Sequence, residues 1–239
     1  MCVFRLILLV LSVFWQRFLC APLVTSNSIL NITWRIGSIT GKVNNMKLLL
    51  KKNCNDNQSD RWGQTPLFIA SGYKNIVKVP INHRCAVNKS DFKGRTPLHA
   101  ACRRKNSVSE FDRYALFFLG GQLPKSFPIE VVKLLLENGC DVDHLDCKQQ
   151  TALHFACQRG YTDIVSLLIQ YRCNIDQTDE YHRTALHYAC EIDHTEIVKF
   201  LVDHGCNQNI TDCDGQTAID ICKKKSFTEL VDILSSLAS

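Results

Sequence analysis

A four-residue block, Thr96-Pro97-Leu98-His99, recurs along this chain at a fixed distance from an aspartate. In each copy a threonine follows the aspartate by five residues, and the last three aspartates lie 33 residues apart. A repeat of this length predicts supersecondary units that bury their apolar faces by stacking on their neighbours. The copies are DRWGQTPLFIAS, DFKGRTPLHAAC, DCKQQTALHFAC, DEYHRTALHYAC and DCDGQTAIDIC, beginning at Asp60, Asp91, Asp146, Asp179 and Asp212.

A second block repeats in the same order and ends each time at a cysteine. Counting back 33 residues from Asp60 reaches Asn27, where a divergent copy begins. The sequence therefore predicts six repeats, beginning near residues 27, 60, 91, 146, 179 and 212, in one elongated domain over residues 27–239. The second-block copies are NMKLLLKKNC, IVKVPINHRC, VVKLLLENGC, IVSLLIQYRC and IVKFLVDHGC, ending at Cys54, Cys85, Cys140, Cys173 and Cys206.

The period of 33 residues and the pattern T-P-L-H-x-A resemble the ankyrin repeat over most of the chain. The resemblance implies an all-α ankyrin-repeat solenoid of stacked helix pairs with hairpin loops. It also implies a protein–protein interaction scaffold or adaptor that catalyses no reaction. Atypical end repeats are expected, because each end of a solenoid faces water on one side.

Residue types at the start of each inner helix fit this architecture. Thr65, Thr96 and their equivalents are suited to cap the helix, and a proline is tolerated at the next position because its missing N–H has no partner there. We interpret His99, His154 and His187 as hydrogen-bond partners of this local turn.

The ends of the inner helices also follow a pattern. Gly160 is predicted to end one inner helix in the left-handed conformation, and Asp193 and Ser226 stand at the same position in the next two repeats. Alanines such as Ala156 are small where the two helices of a unit approach each other closely.

Two repeats depart from the pattern. In the second repeat the inner helix is predicted to end early, near Ser71. Pro80 is predicted to lie inside the outer helix, where it removes a hydrogen bond and clashes at a cost of about 3 kcal/mol. The first two repeats are therefore expected to be less stable than the block that begins at Asp146. In the third repeat an insertion, about 105–126, separates the two helices. This insertion is either a partner-binding loop, a neutral insertion or the mark of a decayed reading frame.

Residues 1–26 lie outside the repeats. The apolar run Leu6–Trp15 is too short to cross a bilayer, which needs about 20 residues. This hydrophobic N-terminal leader is interpreted either as a signal peptide or as a hydrophobic extension or ill-defined protein start. Arg17 and Pro22 fit poorly with a cleavage site after Ala21, and the cysteine-rich repeats, expected to be reduced, favour the second interpretation.

The chain contains 13 cysteines, and eleven of them fall into three sets of equivalent repeat positions. Neighbouring repeats are on the order of 10 Å apart, beyond the roughly 7 Å between Cα atoms that a disulfide spans. We therefore expect reduced, buried cysteines and a cytoplasmic protein. The sets are Cys54, Cys85, Cys140, Cys173 and Cys206; Cys102, Cys157, Cys190 and Cys222; and Cys147 and Cys213.

The sequence offers little support for a chemical site. Cys140, His144 and Cys147 do not have the spacing of a structural zinc site, and no nucleophile or carboxylate pair accompanies the repeated histidines. We expect no enzyme activity, no metal and no cofactor. The net charge of +5 is mild and comes without a nucleic-acid-binding motif, so nucleic acid is not an expected partner.

The expected partner is another protein, and the chain itself is expected to be a monomer. Binding is expected on the hairpin tips and on the concave face of the inner helices. Phe155 and Tyr188 are alternatively interpreted as side chains packed between repeats. The candidate partner-binding residues are Trp62, Phe92, Lys93, Arg103, Arg104, Lys148, Phe155, Arg159, Tyr181 and Tyr188.

A modification site is also implied by the resemblance. Some ankyrin repeats are substrates of an asparaginyl hydroxylase that acts just before the next repeat's aspartate, and Asn88 best fits that pattern here. The alternative is that Asn88 only completes its turn with side-chain hydrogen bonds.

Two other classes of ankyrin protein are alternatives. One is a secreted or membrane-associated protein, which would require the leader to act in targeting, and membrane association is disfavoured. The other is a ubiquitin-ligase substrate adaptor, which normally has a further C-terminal helical box; only a short tail follows the last predicted helix.

Overall fold

The computed structural model describes residues 57, 59–71, 74–82, 85–103 and 129–236, with side chains left out at 74–76. The predicted leader at 1–26, nearly all of the first repeat, the insertion at 105–126 and Arg104 lie outside the described residues.

The described residues fold into helix pairs, one pair for each of the second to sixth repeats. Odd-numbered helices are the inner helices and even-numbered helices the outer ones. They are α1 Pro66–Ala70, α2 Lys74–Asn82, α3 Pro97–Arg103, α4 Ile129–Glu137, α5 Ala152–Arg159, α6 Thr162–Gln170, α7 Ala185–Glu191, α8 Thr195–Asp203, α9 Ala218–Lys224 and α10 Thr228–Ser236.

The helices stack in the order of the sequence. Each inner helix packs against its own outer helix and against the next inner helix, from α1 through α9. The outer helices α2, α4, α6, α8 and α10 form a parallel row behind them. This is the predicted all-α solenoid, in which each unit contacts only its neighbours.

The inner helices begin as the sequence predicts. The Thr65 side chain caps α1 by accepting the Phe68 N–H at 3.2 Å. Thr151, Thr184 and Thr217 each form a capping box with the side chain three residues later, which satisfies helix N–H groups that have no partner within the helix.

The predicted left-handed helix ends are confirmed. Gly160 has φ 71°, and Asp193 and Ser226 have φ of 58° and 60° at the equivalent positions. A residue with a side chain accepts this conformation at a cost, so the local fold is imposed at these two positions by the packing around them.

The core is a continuous apolar layer between the two rows of helices. Leu98, Leu153 and Leu186 come from the inner helices, and Leu168 and Leu201 from the outer ones. Each is at most 2% exposed. Burying one such side chain stabilises the fold by about 1.5–3 kcal/mol, so stacking supplies most of the favourable free energy.

The cysteines depart from the prediction in two ways. Counted from its N-cap Thr217, Cys222 takes the position of Ala156 and Ala189, so it does not share the slot of Cys157. Cys147 and Cys213 are exposed, because their positions lie on the hairpin tips.

The remaining cysteines behave as small apolar side chains. All ten cysteines in the described residues are free. Burial raises the pKa of Cys140, Cys173 and Cys206 to about 12, which keeps these thiols neutral at physiological pH. Cys140 is only half-buried.

The second repeat has the two predicted defects. Its inner helix α1 has 5 residues against 8 in α5. Pro80 lies inside α2 and is buried where Leu168 and Leu201 stand in later repeats. The helix continues to Asn82, so the proline is accommodated, but it still lacks the N–H of a helical residue.

The proline defect gives a test of uneven stability. Pro80→Leu should raise the free energy of unfolding of the second repeat by about 1–3 kcal/mol, because leucine restores both the N–H and the side chain of the later repeats. Hydrogen exchange in α1 and α2 would measure it. The reciprocal Leu168→Pro should weaken the fourth repeat. Equal protection of the second and fourth repeats in the parent protein would contradict this account.

The close approach of Gly160 to the next repeat gives a second test. A Cβ at Gly160 would overlap the His194 imidazole, whereas a Cβ at Gly139, with a similar φ of 76°, would meet nothing within 4 Å. Both alanine substitutions force a left-handed alanine at about 1 kcal/mol. In urea unfolding, Gly160→Ala should lower the free energy of unfolding by about 1 kcal/mol more than Gly139→Ala does. Adding His194→Ala to Gly160→Ala should remove this difference. Equal losses for the two glycines would rule out the contact.

Candidate partner-binding surface

An aspartate shapes each hairpin tip; it is buried in the second to fifth repeats and half-buried, as Asp212, in the sixth. In every described repeat its Oδ1 atom accepts two N–H groups, from the second and fourth residues after it, at 2.8–3.0 Å. These bonds fold the two or three residues after the aspartate into a tight turn. The side chains on that turn are consequently held at the edge of the solenoid.

The tips are joined to one another through the backbone. At each junction the residue that follows the turn aspartate donates its N–H to a carbonyl oxygen of the preceding repeat. The acceptor is the second residue after that repeat's own aspartate. The bonds are Phe92 to Trp62 at 3.1 Å, Cys147 to Lys93 at 2.9 Å, Glu180 to Lys148 at 2.9 Å and Cys213 to Tyr181 at 3.0 Å. The tips therefore form one continuous ladder across five repeats.

Aromatic and basic side chains project from this ladder. Trp62 is 44% exposed, Phe92 76% and Tyr181 45%. Lys93 is exposed, and Lys148 is exposed while pairing with Glu180 at 3.1 Å. The structure thus places these five candidate residues along one edge, which we call the tip row: Trp62, Phe92, Lys93, Lys148 and Tyr181.

Two further candidates, the exposed Arg103 and the half-buried Arg159, lie at the ends of inner helices. Arg103 is exposed at the end of α3. Arg159, at the end of α5, donates its Nε–H to the Arg103 carbonyl at 3.1 Å. Because this bond satisfies a carbonyl at the end of α3, Arg159 also joins two repeats. Arg104 is not among the described residues.

Phe155 and Tyr188 are not surface residues, contrary to their selection as partner-binding candidates. Phe155 is 7% exposed and Tyr188 4%. Each ring packs edge-on against the histidine of the preceding repeat, Phe155 on His99 and Tyr188 on His154, with ring centroids 5.8 Å apart in both pairs. The alternative interpretation holds: these aromatics are inter-repeat packing residues.

The histidines link consecutive repeats. Thr96 donates its N–H to Nδ1 of His99 at 3.2 Å, and Nε2 lies 3.0 Å from the carbonyl oxygen of Gln150 in the next repeat. These contacts assign the Nε2–H tautomer of a neutral imidazole. His154 and His187 make the same pair of contacts, reaching Arg183 at 3.1 Å and Gln216 at 3.3 Å.

The second repeat lacks this link because Phe68 occupies the histidine position. The junction between the second and third repeats is therefore held without the buried hydrogen bond that the later junctions share. This is a third reason for the second repeat to be the weaker one, beside the short helix and Pro80.

Burial of the histidines predicts a loss of stability in acid. Burial lowers the pKa of His99 from 6.5 to about 4, although Asp146 acts in the opposite direction. Because the unfolded chain takes up the proton first, stability is present above pH 6.5 and is lost as the pH falls toward 4. The loss amounts to about 3 kcal/mol for His99, and the pKa values of His154 and His187 are lowered in the same direction.

The test is urea unfolding between pH 7 and pH 4. His99→Phe reproduces the residue that the second repeat already has at this position. The variant should be less stable at pH 7 by about 1 kcal/mol, but its stability should fall less steeply with pH than that of the parent. Identical slopes for both proteins would show that His99 does not titrate as proposed.

One polar network was missed in the sequence. The Tyr188 hydroxyl donates to Asp179 Oδ2 at 2.6 Å and accepts from Gln150 at 2.8 Å and from Arg183 at 2.8 Å. Arg183 also pairs with Glu191 at 3.5 Å. The available signal was the arginine four residues after the aspartate, which also occurs as Arg95 after Asp91, where the two side chains pair.

Asn88 is exposed at the end of the second repeat, and its side chain bonds to the backbone that follows the outer helix of the third repeat. Its Oδ1 accepts the Asp141 N–H at 2.8 Å, and its Nδ2 donates to the Gly139 carbonyl at 3.4 Å. Asn57, Asp143 and Asp176 make the corresponding Oδ1 bond in other repeats. The side chain at this position therefore does more than complete its own turn, because it also accepts a backbone N–H from the neighbouring repeat.

The described residues contain no group of three or more His, Cys, Asp or Glu side chains that could hold a metal ion. In that same part of the chain, none of the helices combines the length and apolar character that a bilayer crossing requires.

Comparison with known families agrees with the geometry. A family model described as ankyrin repeats, in three copies, matches residues 37–111, 125–212 and 172–238, and one described as ankyrin repeat matches residues 93–147. These matches cover well over half of the chain. A repeat solenoid with exposed tips thus defines the class, and the chain belongs to the ankyrin repeat family. No curated protein matches the chain.

Proposed function

We propose that this protein is a scaffold or adaptor that binds another protein through the tip row and catalyses no reaction. Ankyrin repeats are in general protein–protein interaction modules. The observation that carries the proposal is the alignment of Trp62, Phe92 and Tyr181, three exposed aromatic side chains held by the hydrogen-bonded ladder. Tryptophan, tyrosine and arginine are the residues that most often anchor interfaces.

Rigidity supports the choice of the tip row. Each tip is fixed by its aspartate and by the backbone bond to the next tip, so little conformational entropy remains to be lost on binding. The inner-helix candidates contribute less in this proposal, because Phe155 and Tyr188 are buried and Arg159 bonds to Arg103. Arg103 and the ends of the inner helices would border the contact.

A pair of tyrosines gives a matched test. Tyr181→Ala should weaken partner binding by about 1–2 kcal/mol, and Trp62→Ala should do the same. Tyr171 is 40% exposed, close to Tyr181 in exposure, but it follows an outer helix, so Tyr171→Ala should leave binding unchanged.

The measurement is affinity capture with the full chain and quantitative mass spectrometry, followed by titration calorimetry with the captured partner. Circular dichroism would check that each variant is folded. Loss of stability in parallel with loss of binding for Tyr181→Ala, or equal losses for Tyr181→Ala and Tyr171→Ala, would contradict the proposal.

We also propose a reducing, cytoplasmic setting and a monomeric protein. The support is the set of buried, free cysteines, whose raised pKa values leave them as neutral thiols within the apolar layer. The secreted alternative depends on the leader at 1–26, and the ubiquitin-ligase adaptor has no specific observation in its favour.

Asparaginyl hydroxylation at Asn88 stays a prediction. The enzyme would have to break the bonds of Asn88 to Asp141 and Gly139 in order to draw the turn out, and the defects of the second repeat, to which Asn88 belongs, lower the cost of local opening. Incubation with the hydroxylase and mass spectrometry of the Asn88 peptide would measure it. A mass gain of one oxygen is expected at Asn88; no gain would refute the prediction.

A further inference from the structure

The charged side chains of this solenoid are divided between its faces. The described outer helices from α4 onward carry exposed carboxylates on their outer surface. Their two lysines, Lys133 and Lys199, pair with Glu137 at 4.0 Å and Glu229 at 3.6 Å. From α4 onward the outer face is therefore acidic, whereas α2 carries the exposed Lys78 and no carboxylate. Its exposed carboxylates are Glu130, Glu137, Asp163, Glu196, Asp203, Glu229 and Asp232.

The tip row has the opposite charge over three repeats. The tips of the second, third and fourth repeats carry Arg61, Lys93 and Lys148, and their only carboxylates are the buried aspartates that form the turns. Arg61 stacks on Trp62, with its guanidinium carbon 4.1 Å from the ring centroid. Within the described part of the chain, Lys93 makes no ion pair. Each of the three tips thus carries a cation, and the second and third repeats also carry an exposed aromatic ring.

The charge on the tips changes from positive to negative at the fifth repeat. Glu180 stands on its tip and pairs with Lys148 at 3.1 Å, and Asp214 is exposed on the tip of the sixth. A ligand with a uniform run of negative charge would meet these carboxylates if it followed the whole row. A ligand whose negative charge ends at the fourth repeat would meet only Glu180, whose charge Lys148 already offsets.

We propose that the tips of the second to fourth repeats bind an extended, acidic segment of a partner protein. Carboxylates of the segment pair with Arg61, Lys93 and Lys148, and its apolar side chains lie on Trp62 and Phe92. This inference rests on the proposed function and adds the chemical class of the partner. Complementary charge of this kind selects partners and speeds association.

The dimensions suit a short extended peptide. The tips of the second and fourth repeats are two steps apart, or about 20 Å at the spacing of packed helices. An extended chain covers this distance with about six residues. Single-stranded nucleic acid fits less well, because it carries a phosphate at every nucleotide and cannot avoid Glu180.

The experiment is selection of a displayed library of random 16-residue peptides on the full chain. Enriched peptides are expected to contain at least twice as many Asp and Glu as Lys and Arg. A synthetic copy of the most enriched peptide then serves as the probe. A matched pair of variants changes net charge equally: Lys93→Gln with Lys148→Gln on the tips, and Lys133→Gln with Lys199→Gln on the outer face.

The tip variant should bind the peptide about five- to tenfold more weakly, as expected for two exposed ion pairs, and the outer-face variant should change the Kd less than twofold. Neutral or basic enriched peptides, or equal effects of the two variants, would overturn the acidic class while leaving the proposed function intact. Tighter binding of a mixed-sequence 20-nucleotide RNA than of the peptide would also overturn it. No enrichment, or enrichment unaffected by Trp62→Ala with Phe92→Ala, would overturn the extended acidic segment as the ligand; the proposed function is tested separately by the comparison of Tyr181→Ala with Tyr171→Ala.

Discussion

Each repeat of this solenoid can bury its helices only against the next repeat, and the rest of the structure follows from that constraint. The apolar part of the contact is the layer of leucines, with side chains such as Leu153 and Leu168 almost fully buried. The polar part is the histidine that caps its own helix and reaches a carbonyl group in the next repeat. Apolar burial supplies the free energy, and the directional hydrogen bonds fix how one repeat sits on the next.

The neighbour constraint makes local defects matter locally. The second repeat combines a short inner helix, a buried proline and Phe68 in place of the histidine. Because solenoid stability is a sum of unit and junction contributions, such defects weaken their own repeat and its junction without destabilising the distant repeats equally. Two of the aromatic residues proposed for binding, Trp62 and Phe92, lie at this junction, so partner binding would stabilise the weaker end of the described array.

The same constraint decides which side chains are free to bind. The turn aspartate occupies the interior of each tip. The inner-helix aromatics Phe155 and Tyr188 are buried against the histidine of the preceding repeat. What remains exposed is the outward side of the tips, where side chains differ from repeat to repeat. Variation at a rigid, repeated position is how a solenoid acquires a specific surface.

The sequence by itself determined the family, the helix pairs, the caps at Thr151 and Thr184, the left-handed positions at Gly160 and Asp193, and the position of Pro80 inside an outer helix. These features depend on contacts within a few residues, which periodicity and residue type report directly. Tertiary structure alone decided that Phe155 and Tyr188 are buried, that Cys147 and Cys213 are exposed, and that basic and acidic groups separate between tips and outer helices. Those properties depend on which residue of the neighbouring repeat lies opposite each side chain. A repeat pattern specifies neither the distance between two repeats nor the direction in which their side chains point.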